Sequence, residues 1–266
     1  MMITSPHNPR LKELRRLQER RHRERAGLFV AEGEDLLAEA LRHDAYPRTL
    51  FYDADRLDET DPLLAELPEA IDVVAVRGSA LSAVSSLGSG SRIIGVWEER
   101  WASIDAVHDA AVYLYEVGDP GNVGAVIRAA FALVSSIVIL SPGTADPFGP
   151  KAVRASMGAT FGQPVARAGF EHVRTSLGDR YDTIALVPRT GKLLRELELS
   201  APALFCLGSE RAGLPEPILA ACDEVAHVPL RPEGAESLNV AMAATLCLYE
   251  SARHTLRGPM VTEKAL

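Results

Sequence analysis

Residues 111–130 read AVYLYEVGDPGNVGAVIRAA: an apolar run to Val117, a turn built from Gly118, Asp119, Pro120 and Gly121, then a helical pattern that carries Arg128. A continuous apolar strand feeding a helix through a tight turn is the repeating unit of a parallel sheet covered on both faces. The unit recurs downstream. SSIVIL (135–140), TIALV (183–187), ALFCLG (203–208) and VAHVPL (225–230) are strand-like runs separated by helical segments. The last element, SLNVAMAATLCLYESARHTL (237–256), reads as a long helix with Ser237 as its N-cap. An α/β domain with a parallel sheet is therefore expected over 110–266.

Upstream, the signals are shorter. Pro9 to Arg25 places Leu11, Leu14 and Leu17 at helical spacing on a charged background, one narrow apolar stripe on a basic helix that Gly27 stops. LFVAEG (28–33), RTLFYD (48–53), DVVAVRG (72–78) and IIGVWEE (93–99) read as strands, and DLLAEALR (35–42) as an amphipathic helix. SSLGSGSR (85–92) reads as a loop. These features predict a small α/β domain over 1–98, a linker over 99–109 and the larger domain over 110–266.

At 266 residues the chain can bury one large core or two modest ones, which excludes a disordered chain or a stapled mini-protein. The net charge of −8 argues against a protein coated in basic charge. That total hides an asymmetry, because residues 1–30 hold eight basic and three acidic residues, a local balance of +5 that leaves −13 on the rest. Cys206, Cys222 and Cys247 match no zinc spacing and read as reduced core thiols. No metal is expected. Neither a membrane span nor a secretory h-region is apparent, so the expected location is cytoplasmic.

In parallel sheets ligands bind beyond the carboxyl ends of the strands, so the segments after each strand are the candidates. GDPGNVGAVIRAA (118–130) is a Gly-rich turn at a helix N-terminus, suited to an anion, yet it is neither a P-loop nor a dinucleotide fingerprint. LGSERAGLP (207–215) and VPLRPEGAESLNVA (228–241) are two further strand-end loops, and DPFGPKAVRASMGA (146–159) adds Lys151 and Arg154 as plausible phosphate contacts. Taken singly, each is also what an ordinary connection looks like.

Together their order resembles the SpoU (TrmH-like) branch of the SPOUT RNA methyltransferases. Asn122, Gly124, Arg128 and Ala130 match an Asn-x-Gly-x-x-x-Arg-x-Ala motif; Leu207, Gly208, Glu210 and Gly213 match a Leu-Gly-x-Glu-x-x-Gly block. Val228, Pro229, Leu230, Ser237, Leu238, Asn239 and Ala243 match the third motif. Asn8-Pro9 and Phe29-Val30-Ala31-Glu32-Gly33 are similar to the ribosomal-protein-like substrate-binding module that precedes the catalytic domain in many members. The resemblance is thinnest over 54–98, where Gly88 to Ile94 lacks the Pro-Gln-Gly type sequence common before the linker.

The resemblance implies a trefoil-knotted SPOUT domain, S-adenosylmethionine as cofactor and methyl transfer to a ribose 2′-hydroxyl of structured RNA. It implies a cofactor pocket of Leu207, Gly208, Ser209, Val228, Pro229, Leu230, Ser237 and Leu238. It places Arg128, Asn122, Glu210, Ser237 and Asn239 at the reacting groups. RNA contacts are expected from Arg10, Lys12, Arg15, Arg16, Arg20, Arg21, Arg23, Arg25, Lys151 and Arg154. A charged helix is often no more than a solvated face, but the +5 balance and the resemblance favour RNA here. Family members act as homodimers, and helix 238–249 is apolar on more of its circumference than one buried face requires. Ribosomal RNA is expected in preference to tRNA. The alternatives are a tRNA 2′-O-methyltransferase or a non-catalytic RNA-binding protein that keeps the fold; a nucleotide-dependent oxidoreductase is disfavoured by the missing G-x-G-x-x-G.

Overall fold

The computed structural model describes residues 2–58, 60–87, 91–106, 109–134, 136–198 and 202–255. The predicted loop 85–92, linker 99–109, strand 135–140 and helix 237–256 each include positions outside these ranges (88–90, 107–108, 135 and 256). Two compact units emerge: residues 1–100 with 146–162, and residues 101–145 with 163–266.

The first unit runs α1 (Pro9–Arg16), α2 (Arg20–Ala26), β1 (Leu28–Glu32), α3 (Glu34–Arg42), β2 (Thr49–Asp53), α4 (Pro62–Ala65), β3 (Asp72–Val76), α5 (Gly78–Ser82) and β4 (Ile93–Glu98). Its sheet has the order β1-β4-β2-β3, with β4 antiparallel to both neighbours and β2 parallel to β3. The single basic helix expected over 9–25 is in fact two. The Arg23 guanidinium turns back on the break between them, donating to the carbonyls of Leu17 (2.8 Å) and Gln18 (2.7 Å). Those carbonyls would otherwise lack partners at the end of α1. The apolar stripe is as expected: Leu11, Leu14 and Leu17 are buried in one cluster with Val30, Phe51, Val76 and Ile94.

The second unit begins with β5 (Ala111–Leu114), α6 (Pro120–Leu133) and β6 (Val138–Leu140). The chain then passes through α7 (Pro150–Ser156) before β7 (Val165–Arg167), α8 (Phe170–Leu177), β8 (Asp182–Leu186), β9 (Lys192–Leu193), β10 (Ala203–Leu207), α9 (Glu216–Ala221), β11 (Glu224–His227) and α10 (Val240–Thr255). All seven strands are parallel, in the order β7-β6-β5-β10-β8-β11-β9. Leu114, Leu207 and Leu186 lie level in the register, so the loops that follow β5, β10 and β8 leave the sheet along one edge. β7 and β9 are strands that the sequence pattern does not mark, being three and two residues long.

The larger domain expected over 110–266 is interrupted. Residues 146–162 belong to the first unit, where Phe148 and Val153 are buried with Phe29, Leu37 and Trp97. Phe29 makes ring contacts with Phe148 and Phe161, centroids 5.1 and 5.9 Å apart. Asp146 Oδ2 accepts from both Nε and Nη2 of Arg23, at 3.0 and 2.6 Å, an ion pair with both residues buried. Arg23, expected on RNA, is therefore a structural residue: only 3 % of its surface is exposed, and its donors are engaged inside the protein.

Candidate active site

The site forms where the central strands of the parallel sheet end. After β5, Asp119 caps α6: its carboxylate accepts from the Asn122 amide at 3.1 Å, and Pro120, which has no N–H to lose, occupies the first helical turn. The cap fixes where Asn122 and Arg128 point. Val123, Val126 and Ile127 of α6 are buried, which turns Arg128 to the exposed face.

After β10 the chain reverses within five residues. Gly213 N–H donates to the Ser209 carbonyl at 2.9 Å, and the two residues form an isolated antiparallel bridge. A Cβ on Gly208 would collide with the Gly213 carbonyl, so only glycine lets this loop close. After β11 a long exposed loop leads into α10. Its cap is Asn239 and not Ser237 as expected: Asn239 Oδ1 accepts from the amides of Ala241 (2.9 Å) and Met242 (3.4 Å). The position directly before Val240 can reach those amides; Ser237, two residues farther out, instead faces the cavity.

Three side chains join the three segments. Asn239 Nδ2 donates to Asn122 Oδ1 at 3.0 Å, and Asn122 Nδ2 donates to Glu210 Oε1 at 2.6 Å. The polarity of this relay is dictated at both ends, since the Asn239 oxygen is taken by the helix amides and a carboxylate can only accept. Both amides are therefore held in one orientation.

Beside the relay lies a cavity of about 500 Å³, within the usual size of small-molecule sites. Leu207, Gly208, Ser209, Val228, Leu230, Ser237 and Leu238, all expected in the cofactor pocket, line it, as do Glu210 and Asn239. Pro229 is exposed and does not line it. The sequence reading missed Leu186, Val187 and Pro188 at the end of β8, and Arg211. The only signal for the β8 end is its place at the carboxyl edge of a strand, since it carries no motif residue. Leu186, Val187, Leu207, Val228, Leu230 and Leu238 give it apolar walls, and Ser209, Glu210, Arg211, Ser237 and Asn239 bring polar side chains to it. That combination fits a nucleoside bearing a short polar tail.

Arg128 is exposed and, among the described residues, its side chain takes part in no hydrogen bond or ion pair. Lys151 and Arg154 are exposed on α7 in the first unit, and of the eight basic residues in 1–30 all but Arg23 are exposed. No group of three or more His, Cys, Asp or Glu side chains able to hold a metal occurs among the described residues, nor does a helix long and apolar enough to cross a membrane.

Residues 109–249 match the SpoU rRNA methylase family, and residues 8–95 match the MRM3-like substrate-binding domain. The chain is 30 % identical over 251 residues to the 23S rRNA (guanosine(2553)-2′-O)-methyltransferase RlmP of Bacillus subtilis, covering 93 % of this chain and 97 % of the relative. The S-adenosylmethionine-bound rRNA methyltransferase of Sinorhizobium meliloti superposes with a TM-score of 0.86 at 31 % identity, covering 96 % of this chain and 98 % of that one. The SpoU methyltransferase AviRb of Streptomyces viridochromogenes, solved with the same cofactor, superposes at 0.83 with 27 % identity over 95 % of this chain and all of the other. An all-parallel sheet, a cavity at its carboxyl edge and a relay linking all three motifs agree with these matches: the chain belongs to the SpoU rRNA methylase family.

Proposed function

We propose that this protein transfers a methyl group from S-adenosylmethionine to a ribose 2′-hydroxyl of ribosomal RNA. The observation that carries the reading is the Glu210–Asn122–Asn239 relay beside a cavity lined by seven of the eight residues expected at the cofactor. Three loops far apart in sequence converge there on one polar cluster and one apolar cavity. A substrate in ribosomal RNA is favoured because two of the relatives matched over nine-tenths or more of their length are named for 23S rRNA.

S-adenosylmethionine, when bound, supplies the electrophilic methyl. The protein's task is to orient a weak nucleophile and accommodate the charge that develops on it. Arg128 is suited to clamp the phosphate beside the reacting ribose and to stabilise the developing alkoxide. A guanidinium keeps its proton at neutral pH, so the hydroxyl proton leaves to a phosphate oxygen or water and not to Arg128. Asn122 and Glu210, fixed by the relay, position the ribose, with Ser237 and Asn239 on the polar rim. Arg10, Lys12, Arg15, Arg16, Arg20, Arg21 and Arg25, with Lys151 and Arg154, form the RNA-facing charge in this reading.

The homodimer and knotted topology implied by the family are part of the proposal. Support for the dimer lies on α10, where Met242, Leu246 and Tyr249 are 63, 39 and 54 % exposed at helical spacing, opposite the buried Ala244, Cys247 and Leu248. The test is to map ribose 2′-O-methylation in total RNA from cells with and without the gene, alongside calorimetry of the purified protein with S-adenosylmethionine and NADH. Loss of one rRNA methylation and binding of the methyl donor are expected. An unchanged map, or binding of NADH alone, overturns the reading.

A further inference from the structure

The turn after β8, Pro188-Arg189-Thr190-Gly191, holds two residues in left-handed backbone conformations: Arg189 at φ 62° and Gly191 at φ 82°. For arginine that conformation is unfavourable and persists where surrounding structure imposes it. The turn is tied down on both sides. Val187 N–H donates to the Ala226 carbonyl at 3.0 Å, and β9, which begins at Lys192, pairs with Ala226 and His227 of β11. A Cβ on Gly191 would collide with the Val225 carbonyl, so the turn presses directly on the β11 backbone.

From this anchored position the Arg189 side chain crosses to the loop after β11. Nη2 donates to the Ala235 carbonyl at 2.9 Å and reaches toward the Arg231 carbonyl at 3.5 Å. Within that loop Gly234 N–H donates to the same Arg231 carbonyl at 3.0 Å, making a turn whose two ends the guanidinium gathers. Residues 231–237 are otherwise exposed, and among the described residues no other side chain from outside the loop bonds to it. Two and three residues beyond Ala235 stand Ser237 and Leu238, which line the cavity; Pro188, next to Arg189, lines it too.

We propose that Arg189 is a positioning residue for the methyl donor: it clasps the loop 231–235 to the β8 turn and thereby holds Ser237 and Leu238 against the cofactor. The strain at φ 62° is the consequence of aiming a guanidinium at that loop from a turn already fixed by Gly191. Arg189 does not itself line the cavity. It acts by shaping the pocket before the cofactor arrives, so its loss weakens binding and leaves the chemical step alone.

The inference rests on the cavity being the cofactor site, and the test separates the two. Calorimetry with S-adenosylhomocysteine is run on the native protein, on Arg189→Ala, Arg189→Gly and Arg189→Lys, with melting temperatures measured in parallel. Glycine adopts the turn without strain but lacks the donor, whereas lysine keeps a donor. Removal of a charge-assisted hydrogen bond is expected to raise Kd about tenfold or more in both the Ala and Gly variants. Lysine should recover part of the affinity, and the melting temperatures should stay close to native. With an in vitro transcript of bacterial large-subunit rRNA as acceptor, KM for S-adenosylmethionine should rise while kcat holds. Native affinity in Arg189→Gly, or a loss that falls on kcat and not KM, overturns the clasp and leaves the site reading intact. Failure of the native protein to bind S-adenosylhomocysteine overturns the site reading, and the clasp with it.

Discussion

Two arginines that look alike in the sequence have opposite fates. Arg128 stands exposed on α6, while Arg23 is buried against Asp146 and closes the break between α1 and α2. Removing Arg23 leaves the Asp146 carboxylate buried without its counter-ion, so Arg23→Ala should destabilise the first unit by about 3–5 kcal/mol in urea denaturation. An undiminished midpoint would show that the pair is dispensable. Arg128→Ala and Arg128→Lys should both lose turnover with little change in stability, because a point charge does not reproduce a planar two-pronged donor; near-native turnover by the lysine variant would exclude the clamp. Gly208→Ala should abolish S-adenosylmethionine binding by pushing residues 208–213 open, read by calorimetry on a protein that still melts cooperatively. Motif residues are legible in the sequence because their chemistry repeats at fixed spacing. Arg23 is not, since its partner lies 123 positions away and a basic run looks the same whether one member turns inward or none does.

At the scale of elements, the apolar runs of the parallel sheet are readable because strands buried on both faces are continuously apolar, as in β10, every residue of which is buried. β7 and β9 are not, because two or three residues cannot display a period. The sequence places the cap of α10 on Ser237 although Asn239 stands in the same motif; both residue types are good caps, and only the backbone geometry separates them. α1 and α2 present a further consequence. Leu11, Leu14 and Leu17 are buried in the core of the first unit, so cutting away residues 1–26 would damage folding as well as any RNA surface. The discriminating variant neutralises exposed charge alone: Arg15, Arg16, Arg21 and Arg25 to glutamine. If these side chains bind phosphates, the slope of log affinity for rRNA against log salt should become shallower by about 0.7–0.9 for each phosphate no longer neutralised, with melting unchanged. A slope identical to native would remove this helix pair from the RNA surface.

For the whole molecule, the net charge of −8 proves a poor guide to partners, because the first thirty positions carry a local balance of +5, with seven of their eight basic residues exposed, and the acidic excess lies elsewhere. The division into two units is legible in outline, but not the return of 146–162 to the first, which depends on Phe148, Val153 and Asp146 finding partners more than a hundred residues earlier. The apolar excess on the last helix is visible in the sequence, and the structure shows which residues make it up. Met242, Leu246 and Tyr249 share one exposed face of α10, while the opposite face packs on α6 and β10. An exposed apolar stripe of this kind on a helix already buried on its other side is what a second copy of the chain would cover. Leu246→Glu combined with Tyr249→Glu should therefore convert a dimer into a monomer in light scattering. These substitutions sit on a solvent-facing surface of the isolated chain, so the monomer should still melt cooperatively. A protein that is already monomeric, or variants that remain dimeric at micromolar concentration, would show that α10 is not the dimer face.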